Sequence, residues 1–174
     1  MLIFRLSGRF SIDPWTGYYK IDSTDTCEQD LIIDDILAKD SFMSSIYVMA
    51  APPGIEVMID TVDDAVTKWN SGAYGAAKLF VLIKDVPTIY RLYKAGFPVK
   101  ELQIGGLGAG PGRKVVFGPI TLDGEDMKKL TEMHEAGVHV YLHQVPDDPS
   151  MEFTKILEKN NFFRGTRKRG ESKI

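Results

Sequence analysis

The sequence is poor in cysteine, with Cys27 the only one among 174 residues. An internal disulfide framework is therefore excluded, and the composition fits a reducing compartment. The chain also has no apolar run near the roughly 20 residues that a membrane-spanning helix needs. It does not begin with a basic segment followed by a long apolar core. These absences predict a cytoplasmic protein that is neither secreted nor membrane-spanning.

Histidine is scarce too, with three residues of this type. His134 falls on a predicted helix, while His139 and His143 fall on the predicted strand that follows it. No cysteine or further histidine stands at a spacing typical of metal ligands, so no metal site is expected. The sequence supports no Ser-His-Asp arrangement and no nucleophile elbow either.

Charge is modest overall but unevenly spread, with a formal net charge of -3. Residues 164–174 contain five basic side chains and one acidic one, so they carry +4 and residues 1–163 carry -7. An acidic body disfavours a broad nucleic-acid footprint, and no nucleic-acid partner is expected.

Since the length is typical of one domain, we predict a single domain over residues 1–163. Residues 164–174 would form a solvated basic tail, with contact to a polyanion as the alternative.

Segments with strand and helix periods alternate along the chain, which is typical of a doubly wound α/β sheet with helices on both faces. Residues 78–83 lack polar alternation and predict a central strand. Residues 7–29 show no period and predict a long loop. Parallel strands are predicted at residues 2–5, 30–33, 55–59, 78–83 and 101–104, and the last strand at residues 138–144. Five helices are predicted. Three have ranges, residues 36–50, 87–95 and 149–159, and Asp147 or Asp148 would cap the last of them. The other two begin after Thr61, which would act as a cap, and after Thr121.

Two arginines, Arg5 and Arg9, flank a Ser-Gly pair where the first strand runs into the loop. Ligands of such sheets bind beyond the carboxyl ends of the strands. A guanidinium group suits bidentate contact with phosphate or carboxylate. The pair therefore indicates an anion pocket, and surface pairing with Asp13 or Asp22 is the alternative.

Residues 105–112, GGLGAGPG, follow a predicted strand but match neither the P-loop nor the dinucleotide fingerprint, so no nucleotide cofactor is predicted. Backbone N–H groups of such a segment can approach an anion closely, here beside Arg113 and Lys114. The alternative is a mobile connector to an edge strand.

Six segments between residues 30 and 157 carry a family resemblance: DLIIDDILAKD, VMAAPPGIEV, FVLIKD, KAGFPVKELQIGG, GRKVVFGPITLDGEDMKKL and GVHVYLHQVPDD. In order and spacing they resemble the mannose/sorbose-family enzyme IIB of the phosphoenolpyruvate-dependent sugar phosphotransferase system. The resemblance implies a cytoplasmic phosphoryl carrier without a cofactor. Such a carrier takes a phosphoryl group from a IIA partner and passes it to sugar at a membrane permease. The resemblance also implies a mostly parallel sheet with an antiparallel edge.

The segment that carries the chemistry departs from the family pattern. In the family it is of the type R-I-D-x-R-L-I-H-G-Q, and its histidine accepts the phosphoryl group. Here residues 5–14 read RLSGRFSIDP, so both arginines remain and Ile12 stands at the histidine position. An isoleucine cannot carry phosphate, so no catalytic residue is predicted there.

Other nucleophiles are less well placed for phosphoryl transfer. Cys27 lies far along the predicted loop, and Asp13 has no metal-binding acidic cluster beside it. His139 and His143 belong to a different strand, and bringing either to the pocket would require another fold. The sequence therefore assigns no acceptor and leaves open whether the chain is an enzyme.

Two functions follow from the resemblance. The first is the family's phosphoryl carrier, peripheral to the permease and served by a IIA donor. The second is a phosphorylation-incompetent homologue that acts as a binding or regulatory protein. Both are compatible with phosphate or sulfate bound at the carboxyl ends of the strands, and the candidate residues are Arg5, Arg9, Gly105, Gly106, Thr61 and Lys84.

Overall fold

A computed structural model of the chain describes residues 2–7, 29–51, 53–76, 78–144 and 149–159. Its strands are β1 (Leu2–Ser7), β2 (Gln29–Ile33), β3 (Glu56–Asp60), β4 (Leu79–Ile83), β5 (Glu101–Gly106), β6 (Lys114–Phe117), β7 (Ile120–Leu122), β8 (His139–Leu142) and β9 (Met151–Glu152). One sheet has the order β3-β2-β4-β1-β5-β8-β9, and β6 and β7 form an antiparallel hairpin. All neighbours in the larger sheet are parallel except β9, which runs antiparallel to β8. The predicted mostly parallel sheet with an antiparallel edge is confirmed.

Helices connect the parallel strands, and polar side chains cap the first four of them. They are α1 (Ser41–Ala50), α2 (Val62–Asn70), α3 (Val86–Lys94), α4 (Gly124–Glu135) and α5 (Phe153–Lys159). The caps are Asp40, Thr61, Asp85 and Asp123, and each accepts a hydrogen bond from the N–H three residues on. These bonds satisfy backbone donors that a helix leaves unpaired at its start. The predicted cap at Thr61 is confirmed, whereas Asp147 and Asp148 lie outside the described residues.

The strand β4 lies in the interior of the sheet, between β2 and β1, and all five of its residues are buried. Leu79, Val81 and Ile83 belong to the larger core, which also receives side chains from α2, α3, α4 and α5. Phe80 and Leu82 belong to a smaller core on the other face of the strand. Because both faces are covered, the strand has no polar alternation, as the sequence predicted.

The helix predicted at residues 36–50 is interrupted. A 3₁₀ turn at Leu37–Lys39 comes first, and α1 starts only at Ser41 because the Asp40 carboxylate caps it. The apolar face expected from the periodicity is also only partly buried. Leu37 and Tyr47 pack in the smaller core, but Ile36 is 75% exposed and Met49 is 76% exposed.

The closing helix predicted at residues 149–159 begins later, at Phe153. Met151 and Glu152 instead form β9, which pairs with Leu142 and Tyr141 of β8. The prediction was wrong because β8 offers an open edge whose backbone groups need partners. The predicted last strand, at residues 138–144, is β8, and β9 follows it in the chain. Most of the predicted loop at residues 7–29 lies outside the described residues.

Within the described ranges, no helix is long and apolar enough to cross a membrane.

Replacing Asp40 by alanine is expected to lower the free energy of unfolding by about 1 kcal/mol, the usual cost of losing a helix cap. The lost interaction is the 3.0 Å hydrogen bond from the Met43 N–H to Asp40 Oδ1. Urea denaturation measures the change. Ser41→Ala is the control, because Ser41 is exposed and is not the cap. Equal stability of the two variants would contradict the capping role.

Candidate functional site

The carboxyl ends of six parallel strands lie along one edge of the sheet, where open α/β sheets bind their ligands. Residues with charged, hydroxyl or imidazole side chains, and two glycines, end or follow five of these strands. They are Asp34 and Asp35 after β2, Asp60 and Thr61 at the end of β3, Lys84 and Asp85 after β4, Gly105 and Gly106 in β5, and His143 after β8. This carboxyl edge is the candidate site.

A cavity of about 320 Å³ opens at this edge beside Asp34. Asp34 Oδ1 accepts hydrogen bonds from the N–H groups of Ile36 and Leu37 at 2.8 and 3.0 Å, which starts the 3₁₀ turn. Its Oδ2 lies 3.8 Å from Lys84 Nζ. The cavity is lined by Asp34, Ile36, Leu37, Asp40, Met43, Tyr47 and Lys84. One ammonium group faces two carboxylates here, so an anion would need further cations from the same edge.

Burial and the nearby charge of Asp34 raise the pKa of Tyr47 above its usual value. The Tyr47 hydroxyl therefore stays protonated at neutral pH and adds no charge to the cavity.

Asp35 links the end of β2 to two helices. Its Oδ1 accepts the Val62 N–H at 2.9 Å, and its Oδ2 lies 2.5 Å from Arg91 Nη1. The Val62 hydrogen bond, followed by the Arg91 contact, lowers the pKa of the Asp35 carboxyl. Asp35 is thus ionised, and both of its carboxylate oxygens are bound by Val62 and Arg91, so they are not available to a ligand.

The ionisation of Asp35 gives a pH-dependent prediction. Because its folded pKa lies below the unfolded value, its contribution is present above about pH 4 and is lost as pH falls through the folded pKa. Asp35→Asn is expected to cost about 0.5 to 1 kcal/mol at neutral pH, a small value because the pair is partly exposed. The difference in free energy of unfolding between Asp35→Asn and the wild-type chain should therefore shrink as pH falls.

Thermal unfolding between pH 7 and pH 2 measures this gap. The control is Asp63→Asn, which removes a 93% exposed carboxylate 3.9 Å from the same Arg91. A gap for Asp35→Asn that stays constant with pH would rule out the assigned charge contribution.

Two further carboxylates at the edge are also committed to the fold. Asp60 is 5% exposed and accepts hydrogen bonds from Lys68 Nζ at 2.5 Å and from the Tyr74 hydroxyl at 2.7 Å. Burial and this hydrogen bond raise the pKa of Tyr74 strongly. Asp85 Oδ1 accepts from the N–H of Thr88 at 2.9 Å and from its hydroxyl at 2.7 Å. Both carboxylates hold the edge together.

Thr61, one of the predicted phosphate ligands, also has a structural role. Its Oγ1 accepts the Asp64 N–H at 3.1 Å and donates to Asp64 Oδ2 at 2.8 Å. Thr61 is not among the residues that line the cavity, whereas Lys84 is.

The other predicted ligands lie on neighbouring strands. Arg5 pairs in register with Leu82 of β4 and Gln103 of β5. Gly106 pairs with Ser7, after a register shift between Leu6 and Ser7. The fold therefore brings the backbones of Arg5, Gly105 and Gly106 to one part of the edge, whereas Arg9 lies outside the described residues.

Arg113, next to the glycine-rich segment, is held by residues around the start of α4. Its guanidinium donates to Thr121 Oγ1 at 3.1 Å and to the Thr121 carbonyl at 2.8 Å. It also lies 3.3 Å from Asp123 Oδ2 and 2.8 Å from Asp126 Oδ2. Burial raises the pKa of Asp126, and the charge of Arg113 opposes that rise. Arg113 is thus committed to structural contacts.

His143 lies at the same edge as the predicted anion ligands. It follows β8, and its N–H donates to the Ile104 carbonyl of β5 at 3.0 Å. Gln103 Nε2 donates to the His143 carbonyl at 3.1 Å and lies 3.2 Å from His143 Nδ1. His143 lies at the carboxyl edge because β8 runs parallel to β5 and ends beside it.

The other two histidines lie elsewhere. His134 Nδ1 lies 3.2 Å from the Val138 carbonyl, and its ring packs edge-on against Phe153. His139 begins β8 at the opposite end of the strand and lies 3.0 Å from the Glu152 carboxylate. Sequence reasoning missed the Gln103–His143 contact. The available signal was a glutamine inside the otherwise apolar core of β5.

Comparison with known proteins identifies the family. The model of the sorbose-subfamily IIB component of the phosphotransferase system matches residues 15–168. The sorbose-specific EIIB component of Lacticaseibacillus casei is 31% identical over 129 residues, which cover 74% of this chain and 79% of that protein. The mannose-specific EIIAB component of Escherichia coli strain K12 is 19% identical over 129 residues, 74% of this chain and 40% of that protein.

Among solved structures, manxB from Thermoanaerobacter tengcongensis superposes with a TM-score of 0.82 at 34% identity. The superposition covers 92% of this chain and 97% of manxB. The family match extends over most of the sequence, and the fold match over nearly all of it. The chain therefore belongs to the sorbose subfamily of IIB components of the sugar phosphotransferase system.

Proposed function

We propose that the chain is the phosphoryl carrier of a sorbose/mannose-type phosphotransferase system, taking a phosphoryl group from a IIA partner and passing it to sugar at a membrane permease. The observation that carries the proposal is the match of residues 15–168 to the sorbose-subfamily IIB component of the phosphotransferase system. The Escherichia coli relative bears the name EIIAB, so A and B components share one chain there. This supports a IIA protein as the direct partner here.

The phosphoryl group is proposed to bind at the carboxyl edge of the sheet. Arg5 and Arg9 supply guanidinium groups, and Gly105 and Gly106 supply close backbone N–H groups. Lys84 and Thr61 form the rim, Lys84 through its ammonium group beside the cavity. Arg5 pairs in register with Gln103, which stands two residues before Gly105, and this supports the grouping.

The proposal includes the organisation and location of the chain. Residues 1–163 form the carrier domain, and residues 164–174 form a basic tail. A carrier that meets both a IIA partner and a permease works on the cytoplasmic side of the membrane, peripheral to the permease.

Transfer from a phosphorylated IIA protein tests the function. The chain is incubated with a phosphorylated IIA protein of the sorbose/mannose family, and intact mass is measured under alkaline conditions. The expected result is a mass gain of one phosphoryl group. The Lacticaseibacillus casei relative serves as the control for donor activity.

One other outcome would replace the proposal. Binding to the IIA protein without any mass gain, while the control relative gains mass, would establish the binding or regulatory homologue instead. The observation favouring that second function is Ile12 at the position of the family's acceptor histidine.

A further inference from the structure

A phosphoryl carrier needs a nucleophile at the site where the phosphoryl group binds. The carboxylates at the carboxyl edge already hold the fold together. Asp34 and Asp35 accept backbone N–H groups, Asp60 accepts from a buried tyrosine and a lysine, and Asp85 caps α3. Phosphorylating any of them would remove a hydrogen bond that holds a helix start or a buried side chain, so a side chain outside these contacts is the better candidate.

His143 is placed where such a nucleophile is required. It is half-buried, follows the last residue of β8, and is tied to Ile104 through its own backbone N–H. Gly105 follows Ile104, and Gly105 is a proposed phosphate ligand. The strand β8 is two positions from β1 in the sheet, so about 10 Å separates their backbones. That gap is on the scale of an arginine side chain together with a phosphoryl group.

Gln103 contacts the resting ring of His143 and favours one of its tautomers. Gln103 is 4% exposed, and its Nε2 donates to the His143 carbonyl, which sets which end of the amide faces the histidine. The same amide nitrogen lies 3.2 Å from His143 Nδ1. A donor facing Nδ1 favours the neutral ring with its proton on Nε2, and this leaves the lone pair on Nδ1.

We propose that His143 is the phosphoryl acceptor of this chain. The proposal rests on the carrier function argued above and names the residue that performs it. His143 would replace the acceptor histidine of the family, because this chain has an isoleucine at that position, Ile12. Arg5, on the neighbouring part of the edge, stabilises the charge of the transferred group.

The transfer exchanges one P–N bond for another. The Nδ1 lone pair of neutral His143 turns away from Gln103 and attacks the phosphorus of a phosphohistidine on the donor protein. As the new P–N bond forms, the donor P–N bond breaks and its electron pair returns to the donor ring. His143 then releases its Nε2 proton, and the donor ring takes up one proton. The Gln103 amide keeps its hydrogen bond to the His143 carbonyl while the ring turns.

The test maps the phosphoryl group on the wild-type chain. After incubation with a phosphorylated IIA protein, the chain is digested and its peptides are sequenced by mass spectrometry at alkaline pH, where the P–N bond survives. The expected result is a phosphoryl group on His143. This measurement needs no variant, so it decides the question even if a substitution at this position unfolds the chain.

Two variants provide the matched comparison. His143→Gln should lose the label, whereas His139→Gln, on the same strand but at its other end, should keep it. Equal labelling of wild type and His143→Gln, or a phosphoryl group mapped to another residue, would overturn the inference and leave the carrier function standing. A wild-type chain that gains no label beside an active control relative would overturn both.

Discussion

Replacing Arg113 by methionine is expected to lower the free energy of unfolding by about 3 to 5 kcal/mol at neutral pH, the usual cost of removing one partner of a buried ion pair. The Asp126 side chain is 4% exposed and lies 2.8 Å from the guanidinium, whose own side chain is 20% exposed. Without Arg113, that carboxylate keeps its burial and loses its countercharge. The Thr121 carbonyl loses its guanidinium donor as well.

The pH dependence of this variant has a definite sign. Burial already raises the pKa of Asp126, and removing Arg113 takes away the charge that opposes the rise. The folded variant therefore binds a proton more tightly than the unfolded chain does. As pH falls through the folded pKa towards the unfolded value, the variant should regain part of its lost stability.

Urea denaturation at several pH values measures both effects. Lys128→Met, an exposed cation on α4, is the control and should change stability by about 0.5 kcal/mol or less. The double variant Arg113→Met with Asp126→Met should be more stable than Arg113→Met alone, because it removes the unpaired charge. A double variant as unstable as the single one would show that the ion pair is not the cause.

The framework of the fold could be predicted because its signals are local in the sequence. The β4 segment is apolar at every position because both of its faces are covered, and such a run has few other interpretations. The cap at Thr61 also has a local signal, since a hydroxyl at the start of a helix satisfies a backbone donor beside it. These features need no knowledge of distant residues.

The features that could not be predicted depend on tertiary neighbours. The start of α5 is displaced because β8 has an open edge that Met151 and Glu152 fill. Arg113 beside a glycine-rich segment looks like an anion ligand until the contact with Asp126 is known. His143 looks remote in sequence, yet the parallel pairing of β8 with β5 carries it to the carboxyl edge.

The residue types at the carboxyl edge could be predicted from the sequence, but their contacts could not. The anion pocket indicated by two arginines at the end of the first strand stays a prediction. The aspartates at the edge were visible in the sequence, but their hydrogen-bond partners were not. Because these aspartates are already hydrogen-bonded within the protein, fewer carboxylates are available to a ligand than the composition of the carboxyl edge indicates.

Replacing both Arg5 and Arg9 by alanine is expected to abolish the binding of inorganic phosphate while leaving the folded domain intact. Charge-assisted contacts from two guanidinium groups contribute on the order of a few kcal/mol where water is partly excluded, which is enough to remove measurable affinity. The strand is expected to form without the Arg5 guanidinium, because the backbone of β1 pairs with β4 and β5 and Phe4 supplies a buried anchor. The measurement is calorimetric titration with phosphate at low and high salt, alongside thermal unfolding. The matched control is Lys100→Ala with Lys155→Ala, which changes net charge equally at exposed positions away from the carboxyl edge.

If net charge alone attracted the phosphate, binding would weaken equally in both double variants, and that result would contradict a site built by the arginines. Loss confined to the arginine variant, with unchanged thermal stability, would place the phosphate at the carboxyl end of β1.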